Sequence, residues 1–173
     1  MKRRDRNLVL LLGVLALLGG AVHLQLRHER AQAIDPLTTI DVSGVHRLEV
    51  ECRGCARRRF EKIDGRWRML EPRAGAANPE AIANLLAIAN APVRYRHAAD
   101  EIDPARVGLA PPQATLRLDT TLLAFGGTDA IHGDRYVALG GAVVLVPDRF
   151  SVRLFASPES ELMGDGEAEE AKD

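Results

Sequence analysis

The two cysteines carry the most reactive side chains of the chain. Cys52 and Cys55 enclose an Arg-Gly pair and lie between two segments with strand-like composition. This spacing permits a local disulfide across a tight turn, a pair of free thiols, or a redox or metal-binding pair. A redox pair normally lies at a helix N-terminus, and a zinc site needs a second pair of ligands at suitable spacing. We therefore favour a structural disulfide between Cys52 and Cys55.

The other chemistry-bearing residues do not converge on a site. The sequence contains no Gly-x-Ser-x-Gly element, which a nucleophile elbow requires. The glycine-rich segment 126–133 is not followed by a helix that would hold a phosphate, so we predict a plain loop. The histidines show no metal-ligand spacing and are scattered at His23, His28, His46, His97 and His132. The sequence therefore predicts no catalytic, cofactor-binding or metal-binding residue, and we expect a protein that is not an enzyme.

The N-terminus has the composition of a membrane-targeting segment. Basic residues precede an apolar run that begins at Leu8 and stays largely apolar to Leu26. This pattern predicts a signal anchor or transmembrane helix over residues 1–26, with its basic end in the cytoplasm. The rest of the chain would then lie in the periplasm of a bacterium, attached to the inner membrane. Cleavage after Ala21 is the alternative, and it would release a secreted soluble binding module.

Residues 27–37 have helix-compatible composition and are predicted to form a stalk that ends at Pro36.

An α+β domain is expected over residues 38–157. Its first half should be a three-stranded antiparallel meander. Residues 39–42 and 45–50 have strand-like patterns on either side of a break at Ser43-Gly44, and strands follow over residues 56–63 and 66–70. The Asp64-Gly65 pair indicates a hairpin turn, and the alternation of residues places Trp67 inward. The outer face of this meander is basic, with Arg57, Arg59, Arg66 and Arg68. We expect this face either to be solvated or to contact anionic lipid or an acidic partner.

One amphipathic helix should follow the meander. Asn78 and Pro79 are typical of a helix start, and the chain then shows one apolar stripe at helical spacing. We expect this stripe to lie across the meander and to bury Trp67. Its members are Ile82, Leu85, Leu86 and Ala89.

A corner over residues 103–112 joins this helix to the second half of the domain. We expect a single helical turn that ends at Gly108 in the left-handed conformation, followed by an extended Pro111-Pro112 pair. Strands are predicted over residues 114–118, 122–125, 135–139 and 142–146. A final short helix over residues 148–155 should point Phe150, Leu154 and Phe155 inward, and residues 158–173 should form an acidic, disordered tail. The predicted fold class is α+β, an antiparallel sheet of hairpins with one main packed helix.

The charge of the domain gives no argument for a nucleic-acid partner. The formal net charge is −1, and the charged ends of the chain are of opposite sign. The part between them is balanced, whereas nucleic-acid-binding domains usually present a basic surface.

The order of these motifs resembles the bacterial domain of unknown function 4340 family. The likeness runs through about residues 38–155 and is most specific in two elements, Gly65 to Pro72 and Val107 to Pro112. The residues that carry this structural signature are Trp67, Pro72, Gly108, Leu109, Pro111 and Pro112. The Cys-Arg-Gly-Cys segment is not part of the family pattern.

The resemblance implies a membrane-anchored periplasmic protein without established activity, cofactor or catalytic residues. Some members are encoded beside ABC-type transporters of the gliding-motility auxiliary type. We therefore expect a non-enzymatic accessory or interaction module of an envelope complex, with a membrane or periplasmic protein as partner. A periplasmic thiol-redox or metal-handling protein that uses Cys52 and Cys55 is the alternative.

Overall fold

A computed structural model describes residues 35–98 and 100–163. The predicted anchor over residues 1–26, most of the stalk and the acidic residues 164–173 lie outside the described residues. Within the described ranges, no helix is long and apolar enough to cross a membrane.

The described chain forms one antiparallel sheet and one α-helix, which confirms the α+β class. The helix is α1 (Pro79–Ala87). The order across the sheet is β4-β3-β2-β1-β6-β7-β8-β9-β5. The strands are β1 (Arg47–Cys52), β2 (Arg58–Ile63), β3 (Arg66–Glu71), β4 (Gly75–Ala76), β5 (Tyr95–Ala98), β6 (Ala114–Leu118), β7 (Thr121–Thr128), β8 (Asp134–Leu139) and β9 (Ala142–Pro147).

The predicted meander is present as β1, β2 and β3, each antiparallel to the next. Asp64 and Gly65 both adopt positive φ, 51° and 77°, as the favoured two-residue hairpin turn requires. Trp67 packs against the core but is only partly buried, whereas Met69 is fully buried. The strand predicted over residues 39–42 was wrong. A 3₁₀ turn begins at Val42 instead, because the Asp41 side chain accepts hydrogen bonds from the amide and hydroxyl of Ser43.

Helix α1 begins where the sequence predicted. The Asn78 side chain accepts hydrogen bonds from the amides of Glu80 and Ala81, which satisfies donors that a helix start leaves unpaired. The buried stripe consists of Ala81, Ile82 and Leu85, and it continues into a 3₁₀ turn over Ile88–Asn90. These side chains and the inner face of the sheet form one core, which includes Leu48, Phe60, Leu116 and Phe125.

The corner has the predicted start and end, but its middle is a series of turns rather than a turn of α-helix. Asp103 accepts a hydrogen bond from the Ala105 amide at 3.0 Å. Gly108 has φ +72° and Leu109 is buried. Leu109 forms a β-bridge with Pro112, and the Ala110–Pro111 peptide is cis.

The corner packs directly on β7, which explains why the prediction of a loop over residues 126–133 was partly wrong. Gly126 and Gly127 belong to β7. The Gly127 amide donates a hydrogen bond to the Val107 carbonyl at 2.8 Å. A Cβ at Gly126 would overlap that same carbonyl oxygen. The two glycines therefore allow the corner to lie against the strand, and only the part after Thr128 forms a loop.

The two halves of the domain share a single sheet. Strand β1 pairs with β2 on one side and with β6 on the other, so that Leu48 faces both Phe60 and Leu118. The Gly140-Gly141 turn joins β8 to β9 as predicted, with both residues at positive φ.

The C-terminal part of the domain differs from the prediction. Two 3₁₀ turns, Asp148–Phe150 and Val152–Phe155, replace the predicted helix. Leu154 is buried and Phe150 partly so, but Phe155 is 41% exposed, so its predicted inward position was wrong.

The predicted boundary of the tail at residue 158 is also too early, because the chain remains packed to residue 163. A 3₁₀ turn spans Pro158–Glu161. Leu162 forms a bridge with Ala77 and packs over Gly75, and the Met163 amide donates to the Ala76 carbonyl at 3.0 Å.

Candidate functional site

The structure joins Cys52 and Cys55 as a disulfide, with their Cα atoms 5.3 Å apart. The bridge closes a turn in which the Cys55 amide donates to the Cys52 carbonyl and Gly54 has φ +81°. The Arg53 amide donates to the Gln113 carbonyl, so the turn is attached to the neighbouring chain. The pair lies at the end of strand β1 rather than at a helix N-terminus, where thiols are activated. This geometry suits a structural bridge.

The six signature residues do not come together as a site. Trp67 lies on β3 and packs against the core, while Pro72 is exposed after a cis peptide with Glu71. The corner residues contact β7 and one another, as described above. Four of the six have local packing or pairing contacts, namely Trp67, Gly108, Leu109 and Pro112. Pro72 and Pro111 are exposed.

Two of the four arginines on the outer face of the meander, Arg57 and Arg59, line a groove of about 430 Å³. Both are paired with carboxylates of β1 and β3. Arg57 pairs with Glu49 and also with Glu51 at 3.2 Å. Arg59 pairs with Glu71 at 2.9 Å. Arg66 and Arg68 are exposed as predicted. The face is therefore a mixed-charge surface, and the prediction of a basic face omitted the glutamates that face the arginines.

A second groove, of about 640 Å³, has a different composition. It lies between helix α1 and the 3₁₀ turns after β9, and it combines apolar and basic side chains. We call it the C-terminal groove; it is lined by Asn84, Arg149, Phe150, Val152, Arg153 and Phe155. Val152 is 67% exposed and Phe155 is 41% exposed. Large apolar side chains that are exposed together beside positive charge are typical of interaction surfaces.

Arginine side chains hold the aromatic rings of this groove in place. The Arg149 guanidinium lies 5.0 Å from the centre of the Phe150 ring, and that of Arg135 lies 5.2 Å from the centre of the Phe155 ring. Both distances lie within the range of cation–π attraction. Each aromatic ring of the groove therefore lies against a guanidinium group.

Arg135 in turn connects the groove to β7 and to Gln113, which directly follows the corner. It donates to Asp148 at 2.5 Å, to the Gln113 side chain at 3.1 Å and to the Gly126 carbonyl at 2.7 Å. Burial disfavours ionisation of Asp148, but hydrogen bonds from Arg135 and Ser151 outweigh it and hold the pKa of Asp148 below its ordinary value. The carboxylate therefore stays charged and bound to Arg135 over the physiological range of pH.

A buried ion pair contacts the backbone of the turn that lines the groove. Arg58 and Glu161 are both 0% exposed, and Arg58 Nη1 lies 2.6 Å from Glu161 Oε1. The same guanidinium donates to the carbonyls of Arg153 and Leu154, which belong to the 3₁₀ turn of the groove. Burial raises the pKa of Glu161 more than the charge of Arg58 lowers it. We call this pair and its two carbonyl partners the C-terminal clasp.

The chemistry of the groove is that of a binding surface. Within residues 35–98 and 100–163, histidine, cysteine, aspartate and glutamate side chains form no group of three that could hold a metal ion. The groove offers apolar contact, cation–π surface and two arginines. Such a surface suits a partner with acidic and apolar groups.

Neither the groove nor the clasp was predicted from the sequence. Arg58 stands between two arginines that were assigned to the outer face, and the alternation of a strand places it inward together with Phe60. An inward arginine predicts a buried acceptor, so this signal was present. No comparable sequence signal indicates the groove. If residues 148–155 are assumed to form a regular helix, Phe155 fits an inward position as well as an exposed one.

Comparison with protein-family models, curated proteins and solved structures gave no match for this chain.

Proposed function

We propose that this chain is a membrane-anchored periplasmic protein that acts as a non-enzymatic interaction module of a bacterial envelope complex. The observation that carries the proposal is the C-terminal groove, where Val152 and Phe155 are exposed beside Arg149 and Arg153. Exposed apolar side chains cost free energy in water unless a partner covers them. The groove is therefore the surface that binds the partner.

The location rests on the N-terminal sequence. A basic flank followed by an apolar run that reaches Leu26 would place the domain on the periplasmic side of the inner membrane. The disulfide agrees with this, because disulfides persist in oxidising compartments. The resemblance to a family whose members include neighbours of ABC-type transporters supports such a complex as the assembly to be tested.

Co-purification tests the proposal. The full chain, at native expression level, is isolated in mild detergent as wild type and as the double variant Val152→Asp/Phe155→Asp. Leu122→Asp is the matched control, because Leu122 is 42% exposed on the other face of the sheet. Wild type and the control should retain an envelope protein that the double variant loses. Isolation of the wild type as a lone monomer would contradict the proposal.

Two further measurements separate the alternatives. N-terminal sequencing of the mature protein distinguishes an anchor from cleavage after Ala21, which would give a secreted binding module. Alkylation followed by mass spectrometry reports the oxidation state of Cys52 and Cys55 in cells. A disulfide that is reduced and reoxidised during growth would favour the thiol-redox function instead.

A further inference from the structure

The C-terminal groove has two arginines, Arg149 and Arg153, beside its apolar side chains. Among the residues that the structure describes, the salt bridges include neither Arg149 nor Arg153. The nearby Asp148 carboxylate is held by Arg135 and Ser151, and Glu161 is already paired with Arg58. The groove therefore differs from the part of the outer face at Arg57 and Arg59, where the arginines are paired with glutamates. Its own arginines can pair with an acidic ligand.

The chain contains a segment of the complementary charge. Residues 164–173 follow the last described residue, Met163, and have five acidic side chains against one lysine. The acidic residues are Asp165, Glu167, Glu169, Glu170 and Asp173. The segment is thus strongly negative, in a domain whose remaining charges are nearly balanced.

The clasp places the start of this segment near the groove. Arg58 Nη1 contacts both the Glu161 carboxylate, at 2.6 Å, and the Arg153 carbonyl, at 3.2 Å. The backbone of the groove and the turn that ends at Glu161 are therefore immediate neighbours. Met163 follows two residues later, and ten extended residues span about 33 Å.

We propose that residues 164–173 bind in the C-terminal groove of their own chain. Attachment to the same chain gives the segment an effective concentration on the order of millimolar, so weak charge pairing is sufficient for binding. The regulatory consequence rests on the proposed function: the segment covers the surface that the partner uses, and the partner must displace it. The partner's own binding segment is then expected to be acidic as well.

Carbodiimide coupling of the purified full chain tests this binding without any partner. The variant Arg149→Lys/Arg153→Lys keeps both positive charges and introduces amines that react only with carboxylates in direct contact. The matched control is Arg66→Lys/Arg68→Lys, whose two positions are also exposed arginines. Mass spectrometry of a mixture of isotopically labelled and unlabelled chains distinguishes links within one chain from links between two.

The expected result is several-fold more intramolecular coupling from positions 149 and 153 to residues 164–173 than from positions 66 and 68. High salt should reduce it, because exposed charges are screened. Equal coupling from both pairs of positions would overturn the proposal.

The outcomes for the two proposals are separable. The coupling experiment uses purified protein and fails only if the segment does not bind. Loss of the partner in the co-purification experiment tests only whether the groove binds that partner. If both proposals hold, removal of residues 164–173 should increase partner recovery several-fold, and this increase should be absent in the groove variant.

Discussion

Arg58 and Glu161 form a fully buried ion pair although 103 residues separate them in the sequence. The pair connects the meander to the last turn of the domain, and through the Arg153 and Leu154 carbonyls it also holds the turn that lines the C-terminal groove. The end of the chain is therefore part of the domain that shapes the proposed interaction surface.

Removal of one member of this pair should lower the free energy of unfolding much more than removal of both. Arg58→Met leaves the Glu161 carboxylate buried without its cation, and breaking a buried pair in this way costs about 3–5 kcal/mol. The double variant Arg58→Met/Glu161→Leu replaces both charges by apolar groups and should recover most of that loss. Urea unfolding curves of the two variants measure the difference, and equal losses would show that the pair is not coupled.

The stability of Arg58→Met should depend on pH in a defined direction. Burial already raises the pKa of Glu161 in the wild type, and loss of the cation raises it further. A carboxylic acid whose pKa is raised on folding binds its proton more tightly in the folded state than in the unfolded state. The free energy of unfolding therefore increases as the pH falls from the folded-state pKa to the unfolded-state pKa. The variant should therefore be less destabilised at pH 5 than at pH 7. A larger loss at pH 5 would contradict the assignment.

The contact between the corner and β7 predicts a strong effect of a single methyl group. Gly126→Ala places a Cβ against the Val107 carbonyl and 3.0 Å from Leu109 Cγ, so the corner must move away from the strand. We expect a loss of about 1–3 kcal/mol, as overpacking usually costs. Gly44→Ala is the matched control, because nothing lies within 4 Å of its Cβ and its φ is not positive. Thermal unfolding compares the two, and an unchanged melting temperature for Gly126→Ala would show that the corner does not pack there.

The disulfide should contribute little to stability because it closes a very short loop. The chain-entropy relation gives about 2 kcal/mol or less for four residues. Cys52→Ser/Cys55→Ser should therefore fold normally, with a modest decrease in the denaturant midpoint. The same variant should complement a deletion strain as well as the wild type does. A loss of cellular function in a variant that stays folded would favour the thiol-redox alternative.

Local patterns in the sequence predicted most of the sheet. Alternation and the Asp64-Gly65 and Gly140-Gly141 turns gave the hairpins, and the cap at Asn78 gave the helix, because these features depend on neighbouring residues. The extension of β7 through Gly126 and Gly127 was missed because its cause is the corner that packs across it.

The candidate site was less accessible to sequence analysis. The inward direction of Arg58 follows from strand alternation, but its partner Glu161 is distant in the sequence and stands in a stretch of acidic composition that resembles a disordered tail. The exposure of Phe155 depends on how the 3₁₀ turns after β9 are oriented, and no local pattern determines that orientation.

Site-specific photo-crosslinking in intact cells tests whether the C-terminal groove is the interaction surface. A photoreactive amino acid is placed at position 152 in the C-terminal groove, or at position 122 on the opposite face as the control. We expect position 152 to capture a defined envelope protein and Phe155→Asp to abolish that capture. Position 122 should not capture it. Equal capture from both positions, or capture at position 152 that Phe155→Asp leaves unchanged, would contradict the claim that the groove is the interaction surface.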